Sequence, residues 1–253
     1  MTDILHAEEV LWQKIKNIIF DETYKEDPLF KRHRLEIESG VVHVLYNNIG
    51  NSSDSGALFS TNKLHSSPNF YARFSYYFNL DKKNSFRFMI APLSLSGVGN
   101  LDNNFNYGNQ DFTEGQASYL YKFNSYRVTY RRTVFESDKF ILRVGLTLKI
   151  RDALIKLSQN NHSYQESNVG VVPLMHINAE YKILPQWTLV YESDLAAAPQ
   201  GRAIDIAFSS RYNVNDYLDF SAGYRFLEGG ASNQAVYNMA FINYYFLAIG
   251  VRF

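Results

Sequence analysis

At 253 residues, with 25 basic residues, 25 acidic residues and no cysteine, the chain lacks the net positive charge that attracts nucleic acid, and it cannot form disulfides or thiolate sites. It contains 19 Tyr and 19 Phe, although its mean hydropathy is only -0.27. So many rings in a polar chain either fill a soluble core or face lipid. Nothing approaches the roughly 20 consecutive apolar residues of a membrane-spanning helix, so strands would have to cross any membrane.

Residues 1–30 predict an amphipathic helix and a linker, separate from the strand-forming residues 31–253. The apolar residues of the predicted helix recur at three- and four-residue spacing. Those expected to face a membrane interface are Leu11, Trp12, Ile15 and Ile19. The helix either packs on strands of the same protein or lies in that interface on the periplasmic side. Since no export signal is present, we expect that Met1 replaces one that was removed.

From about His33 the period of the apolar residues changes from 3.6 residues to 2 residues, which predicts strands with one apolar and one charged face. About ten strands are expected, within a range of 8 to 12. They lie near residues 33–48, 69–80, 85–95, 115–134, 139–156, 169–183, 187–195, 202–213, 217–227 and 238–253. Short turns alternate with longer polar loops, as in an antiparallel up-and-down transmembrane β-barrel. The expected longer loops are 48–69, 97–114, 158–168, 196–201 and 228–233.

The fourth predicted strand departs from the pattern. Its outward-facing set changes parity between Phe123 and Tyr126. A β-bulge at this point or a split into two strands would explain the change.

The carboxyl-terminal strand alternates apolar residues and ends in an aromatic residue. These residues are Tyr245, Leu247, Ile249, Val251 and Phe253. The segment resembles the closing strand of bacterial outer-membrane β-barrel proteins, which are found in Gram-negative bacteria. The resemblance implies an outer-membrane location, contact with outer-membrane lipid and lipopolysaccharide, and recognition of this strand by the barrel-assembly machinery. The preceding helix is similar to that of some small lipid-modifying barrels, but no matching catalytic residues accompany it.

If the apolar faces of the strands contact lipid, the opposite faces line the lumen. The residues expected there are Arg73, Arg87, Arg127, Arg131, Arg143, Lys149, Arg151, His176, Glu180, Glu192, Asp205, Arg211, Asp219 and Arg225, with Lys182, Asp194 and Arg252 on the same faces. Basic residues are in excess. They form either an ion-paired network that fills the barrel or a narrow pore that favours anions, and ten strands lie between barrels that are filled and barrels that conduct.

Two weak catalytic candidates stand out. His65 and Ser67 have the His-x-Ser spacing of outer-membrane phospholipases and lipid A deacylases, although Pro68 replaces the Asn common there; the alternative is a polar loop. His176 and Glu180 share one strand face as an acid/base pair or as part of a lumen network. No cofactor and no metal site is indicated.

These patterns support a narrow channel or structural barrel as the leading hypothesis. An outer-membrane enzyme that modifies or hydrolyses lipid or peptide is the first alternative. The second is an accessory barrel in a larger envelope protein complex. A soluble all-β protein, with its rings sealed between two sheets, is the competing fold.

Overall fold

The strands that the sequence predicts form one closed antiparallel ring. The structure, a computed structural model, describes residues 30–64 and 69–253. The strands in these residues are β1 His33–Gly50, β2 Phe59–Ser60, β3 Asn69–Asn79, β4 Asn84–Ala91, β5 Ser94–Leu101, β6 Phe105–Tyr107, β7 Gln110–Phe112, β8 Gly115–Glu136, β9 Phe140–Gln159, β10 His162–Lys182, β11 Trp187–Ala198, β12 Gly201–Asn213, β13 Leu218–Ser232 and β14 Tyr237–Arg252. A 3-10 turn covers Thr61–Lys63. The predicted amphipathic helix and its interface residues lie outside the described residues.

Each long strand pairs with the next, and β14 pairs with β1 to close the ring. β4 and β5 both pair with β8 at different heights, so together they form one position in the wall. The described strands therefore build a ten-stranded barrel, which confirms the antiparallel barrel of the predicted fold class but not its N-terminal helix. At the closing edge, the His33 and Phe253 backbones exchange two hydrogen bonds of 2.9 Å.

The apolar faces of the strands form the outer surface of the barrel. Large apolar side chains remain exposed there, including Phe70 at 74% and Leu247 at 70%. Others on the same surface are Ile37, Phe74, Ile90, Val128, Leu146, Leu148, Val171, Met175, Phe208 and Ile249. An apolar belt of this size is tolerated in hydrocarbon and would promote association in water. The alternative of a soluble fold with these rings sealed between two sheets is wrong.

The two ends of the barrel differ in their connections. Short turns at 80–83, 137–139, 183–186 and 214–217 share one end with His33 and Phe253. At the other end, the segments 51–68 and 102–114 are long, and the second contains the hairpin β6–β7. The part of the chain described contains no helix long and apolar enough to cross a membrane.

Three predicted loops at the long end are largely strand, which corrects the expectation for 158–168, 196–201 and 228–233. β9 and β10 run on to a two-residue turn, where Asn160 has a φ of 51°. These strand extensions lie beyond the apolar belt, so both faces of each strand can carry polar side chains there. Polarity alone was therefore a poor indicator of a loop.

β8 is continuous through Phe123 and Tyr126, so the predicted bulge or split at this point is wrong. Its ladder with β9 shifts register only between Thr133 and Phe135. Odd-numbered residues face inward from Ala117 to Arg131, on the near side of that shift. Tyr121 is buried in the apolar cluster, and Arg127 is buried in ion pairs. The apparent parity change instead marks the height at which the interior changes from apolar to charged.

The upper interior is filled on one side by the two long connections. Leu64, Tyr107 and Phe112 are almost fully buried in one apolar cluster with the upper strand residues. At Gly99 a Cβ would lie 2.5 Å from the carbonyl oxygen of Lys63, so glycine permits the close approach of the first loop. This packing closes the mouth near β1, β5 and β8 and leaves space near β9 to β13.

Candidate functional site in the barrel lumen

The centre of the lumen contains Asp205, a buried carboxylate of β12. Arg73, Arg127 and Arg225 all donate to it, at 3.2, 2.6 and 2.9 Å. These arginines belong to β3, β8 and β13. Side chains from separate parts of the wall thus converge on one carboxylate. Each of these buried charges is paired, because an unpaired charge in the interior would be strongly destabilising.

Asp194 of β11 forms a second centre beside the first. Arg87 Nη2 and Arg127 Nη1 donate to its Oδ2 at 2.7 and 2.5 Å. Its Oδ1 accepts from Thr147 Oγ1 at 2.9 Å and lies 2.8 Å from His176 Nδ1. Since Arg127 binds both Asp194 and Asp205, the two centres form one network.

Two further carboxylates extend this network. Glu38 of β1 accepts from Arg225 Nη2 at 2.9 Å and from the Tyr71 hydroxyl at 2.7 Å. Glu192 pairs with Arg87. The network therefore reaches from β1 to β11 across the interior of the barrel.

A separate layer lies toward the end with the short turns. Glu180 pairs with Arg143 at 2.7 Å and Arg211 at 3.1 Å. Asp219 pairs with Arg34 at 2.8 Å and Arg252 at 2.6 Å. In the same region Arg131 donates from Nε to Ser85 at 2.9 Å and stacks over the Tyr77 ring.

The network lies between an upper and a lower cavity. The upper one, of about 400 Å³, opens toward the long connections. The lower one, of about 280 Å³, opens toward the short turns. No residue lines both cavities, and the ion pairs of Arg87 and Arg127 with Glu192, Asp194 and Asp205 lie between them.

The sequence-predicted lumen residues lie on the inner faces of the strands, apart from Lys182, which is exposed at the end of β10. Lys149 and Arg151 are the two that line the upper cavity without a carboxylate within salt-bridge distance among the described residues. The prediction missed Glu38, although its place between the outward-facing Ile37 and Ser39 carried the signal. It also missed Thr147, because a hydroxyl side chain gives no charge signal.

The candidate catalytic residues do not assemble. His65 and Ser67 lie outside the described residues. His176 binds Asp194, whereas Glu180 binds Arg143 and Arg211, so these two predicted partners serve different layers. His176 is 1% exposed, and its Nε2 has no hydrogen-bond partner among the described residues. The same residues contain no cluster of three potential metal ligands.

The mouth of the upper cavity has its own carboxylate. Glu166 lies on the part of β10 that extends above the apolar belt, and it accepts a 3.2 Å hydrogen bond from the Tyr107 hydroxyl. Partial burial raises the pKa of Glu166 above its ordinary value. The contact ties the hairpin β6–β7 to the barrel wall, because Tyr107 ends β6.

Comparison with known proteins gives matches of structure alone. No protein-family model and no curated protein matches the chain. The outer membrane protease OmpT from Escherichia coli has a TM-score of 0.57 at 8% identity, over 88% of this chain and 97% of OmpT. Neisserial surface protein A has a TM-score of 0.38 at 11% identity, over 87% and 97%. Ail of Yersinia pestis has a TM-score of 0.39 at 10% identity, over 88% and 100%.

Proposed function

We propose that this chain, which has the fold of bacterial outer-membrane β-barrel proteins, is a structural barrel with a closed lumen that does not conduct ions. The resemblance of its closing strand to that group is confirmed at the level of fold. The outer-membrane location predicted from the sequence agrees with this fold and with the exposed apolar belt. Between the two forms of the leading hypothesis, channel or structural barrel, the proposal selects the second.

The observation that supports closure is the position of Arg127. Its guanidinium binds Asp194 at 2.5 Å and Asp205 at 2.6 Å, and its side chain is 1% exposed. An ion entering from either cavity would have to displace this paired group. Breaking such a buried pair costs about 3–5 kcal/mol, which is a large barrier beside the thermal energy.

An enzymatic role has less support. The His176 imidazole is enclosed by the same network, so a substrate cannot reach it without disrupting the buried ion pairs. No described residue favours an accessory role in an envelope complex over an independent barrel. The proposal is therefore limited to closure and structure.

Planar-bilayer recordings test closure. We expect the wild-type protein to produce no discrete conductance steps under conditions in which a porin does. The double variant Arg127→Ala, Asp205→Ala should produce steps, because it shortens the side chains that cross the lumen and removes equal and opposite charges.

The matched control is Lys63→Ala, Asp102→Ala, which removes an exposed ion pair of the loops. This variant should remain silent. Regular single-channel steps from wild-type protein would contradict the proposal, provided that a folded-barrel gel assay shows intact protein.

A further inference from the structure

The barrel wall is incomplete between β10 and β11. Their ladder runs from Lys182 and Thr188 up to Met175 and Leu195, where it stops. Above that point β10 continues to His162 paired with β9 only, and β11 continues to Ala198 paired with β12 only. A seam therefore separates the upper parts of these neighbouring strands.

The seam reaches the level of the apolar belt. Val169 and Val171 of β10 point outward beside it and are 70% and 62% exposed. Pro173 lies in the part of β10 that pairs with β9 but has no partner on its β11 side, and proline, which lacks an N–H, is found in sheets at such edges. Unpaired backbone at membrane depth is tolerated where it lines a cavity, so the seam points to a cavity behind it.

That cavity is the upper one, of about 400 Å³. Both sides of the seam contribute apolar residues to it, among them Val172 and Leu174 from β10 and Ala196 from β11, with Leu227 and Ala240 opposite. Its volume falls within the roughly 300–1,000 Å³ typical of small-molecule sites. The space suits one hydrocarbon chain better than a lipid with several chains.

A buried lysine lies in this cavity without a direct ion pair among the described residues. Lys149 is 4% exposed and has no ion pair or hydrogen bond within the described residues; its ammonium group lies 4.7 Å from the Phe123 ring. Arg151, two residues along β9, hydrogen-bonds to Asn168 and has a buried Nε without a partner. A buried charge is costly unless it is paired, so the site is complementary to an anion.

The carboxylates at the base of the cavity are already bound. Asp205 accepts from three arginines, and Asp194 accepts from Arg87 and Arg127. Neither has a hydrogen bond or an ion pair to Lys149. The ammonium group of Lys149 and the Nε donor of Arg151 are thus available to a ligand.

We propose that the upper cavity binds a single-chain amphiphile with a carboxylate head, of the free fatty acid class. The carboxylate binds Lys149 and Arg151, and the chain lies along the apolar wall. The ligand reaches the site from the outer leaflet through the β10–β11 seam. This inference goes beyond the proposed function, since binding above the central network requires no passage through it.

Binding can be measured with the full-length protein in nanodiscs of zwitterionic lipid. The probe is dodecanoate labelled with ¹³C at its carboxyl carbon, followed by NMR. We expect saturable binding of about one dodecanoate per barrel, against nonsaturable partitioning into empty nanodiscs. Uptake equal to that of empty nanodiscs would overturn the proposal, as would equally tight binding of uncharged dodecanol.

Lys149→Met should weaken dodecanoate binding about tenfold or more, since a hydrogen bond to a charged group contributes roughly 1.5–3 kcal/mol. Lys149→Arg should retain most of the affinity. Lys156→Met is the matched control, because Lys156 lies on the outer face of the same strand. Equal affinities of the Met variants and wild type would rule out the assigned head-group site.

If Lys149→Met does not fold, Ala196→Phe provides an independent test. The larger side chain points into the cavity, so binding should be lost while the folded barrel persists. Unchanged binding in this variant would show that dodecanoate sits elsewhere.

The route is tested separately with Val169→Trp, which places a bulky group on the lipid-facing side of the seam at a residue that does not line the cavity. Exchange of dodecanoate between nanodisc lipid and protein should slow several-fold with little change in affinity. Ala222→Trp, on the lipid-facing side of β13, is the control. Equal exchange rates in the two variants would exclude access through the seam.

Discussion

Asp205→Asn is expected to lower the free energy of unfolding by about 3–5 kcal/mol, because it leaves buried arginines without their shared anion. Arg73, Arg127 and Arg225 all donate to this carboxylate, which is 4% exposed. The amide has nearly the same shape, so the loss reports charge and hydrogen bonding rather than a cavity. Urea unfolding of the barrel in lipid vesicles, followed by heat-modifiable migration on gels, measures the change.

Asp102→Asn is the control for this variant. Asp102 forms an ion pair with Lys63 in which both side chains are more than half exposed. Exposed pairs contribute about 0–1 kcal/mol, so this substitution should have little effect. Similar losses in the two variants would contradict a buried central network.

Leu247→Arg is expected to destabilise the inserted barrel by about 2–4 kcal/mol, the cost of an arginine near the bilayer midplane on a lipid-facing surface. Leu247 is 70% exposed and lies near the middle of β14, opposite Ala222 of β13. In water, the same change at an exposed position would cost little. The variant therefore tests whether the apolar belt contacts hydrocarbon.

Val251→Arg provides the depth control on the same strand and face. Val251 pairs with Leu35 near the barrel end that carries the short turns. An arginine near the interface costs about 0–1 kcal/mol, so unfolding free energies should fall much less than for Leu247→Arg. Equal and small effects at both positions would argue against a membrane-spanning belt.

The fold was largely predictable because the two faces of each strand meet different media. In β3, Phe74 faces outward while Arg73 lies in the network, and this contrast repeats along nearly every strand. Alternation of this kind predicts both a strand and its orientation. It fails where the media change, as in β8, whose interior side passes from Tyr121 to Arg127.

The candidate site was predictable only in part. Charge and parity placed Arg127 and Asp205 toward the lumen, but neither indicates that they bind each other across 78 positions in the chain. Pairing of that kind depends on the closure of the ring and on the height of each residue within it. The unpartnered state of Lys149 follows from the same geometry.

The sequence by itself determined that there are about ten strands, which face of each is apolar, and the identity of most charged groups inside, since these depend on local alternation. Only the tertiary structure showed that Arg127 joins Asp194 and Asp205 within the lumen, that β8 is unbroken and that β10 and β11 are unpaired above Met175 and Leu195. Those features depend on which distant residues share a height within the ring, and a local pattern carries no information about distances between remote strands.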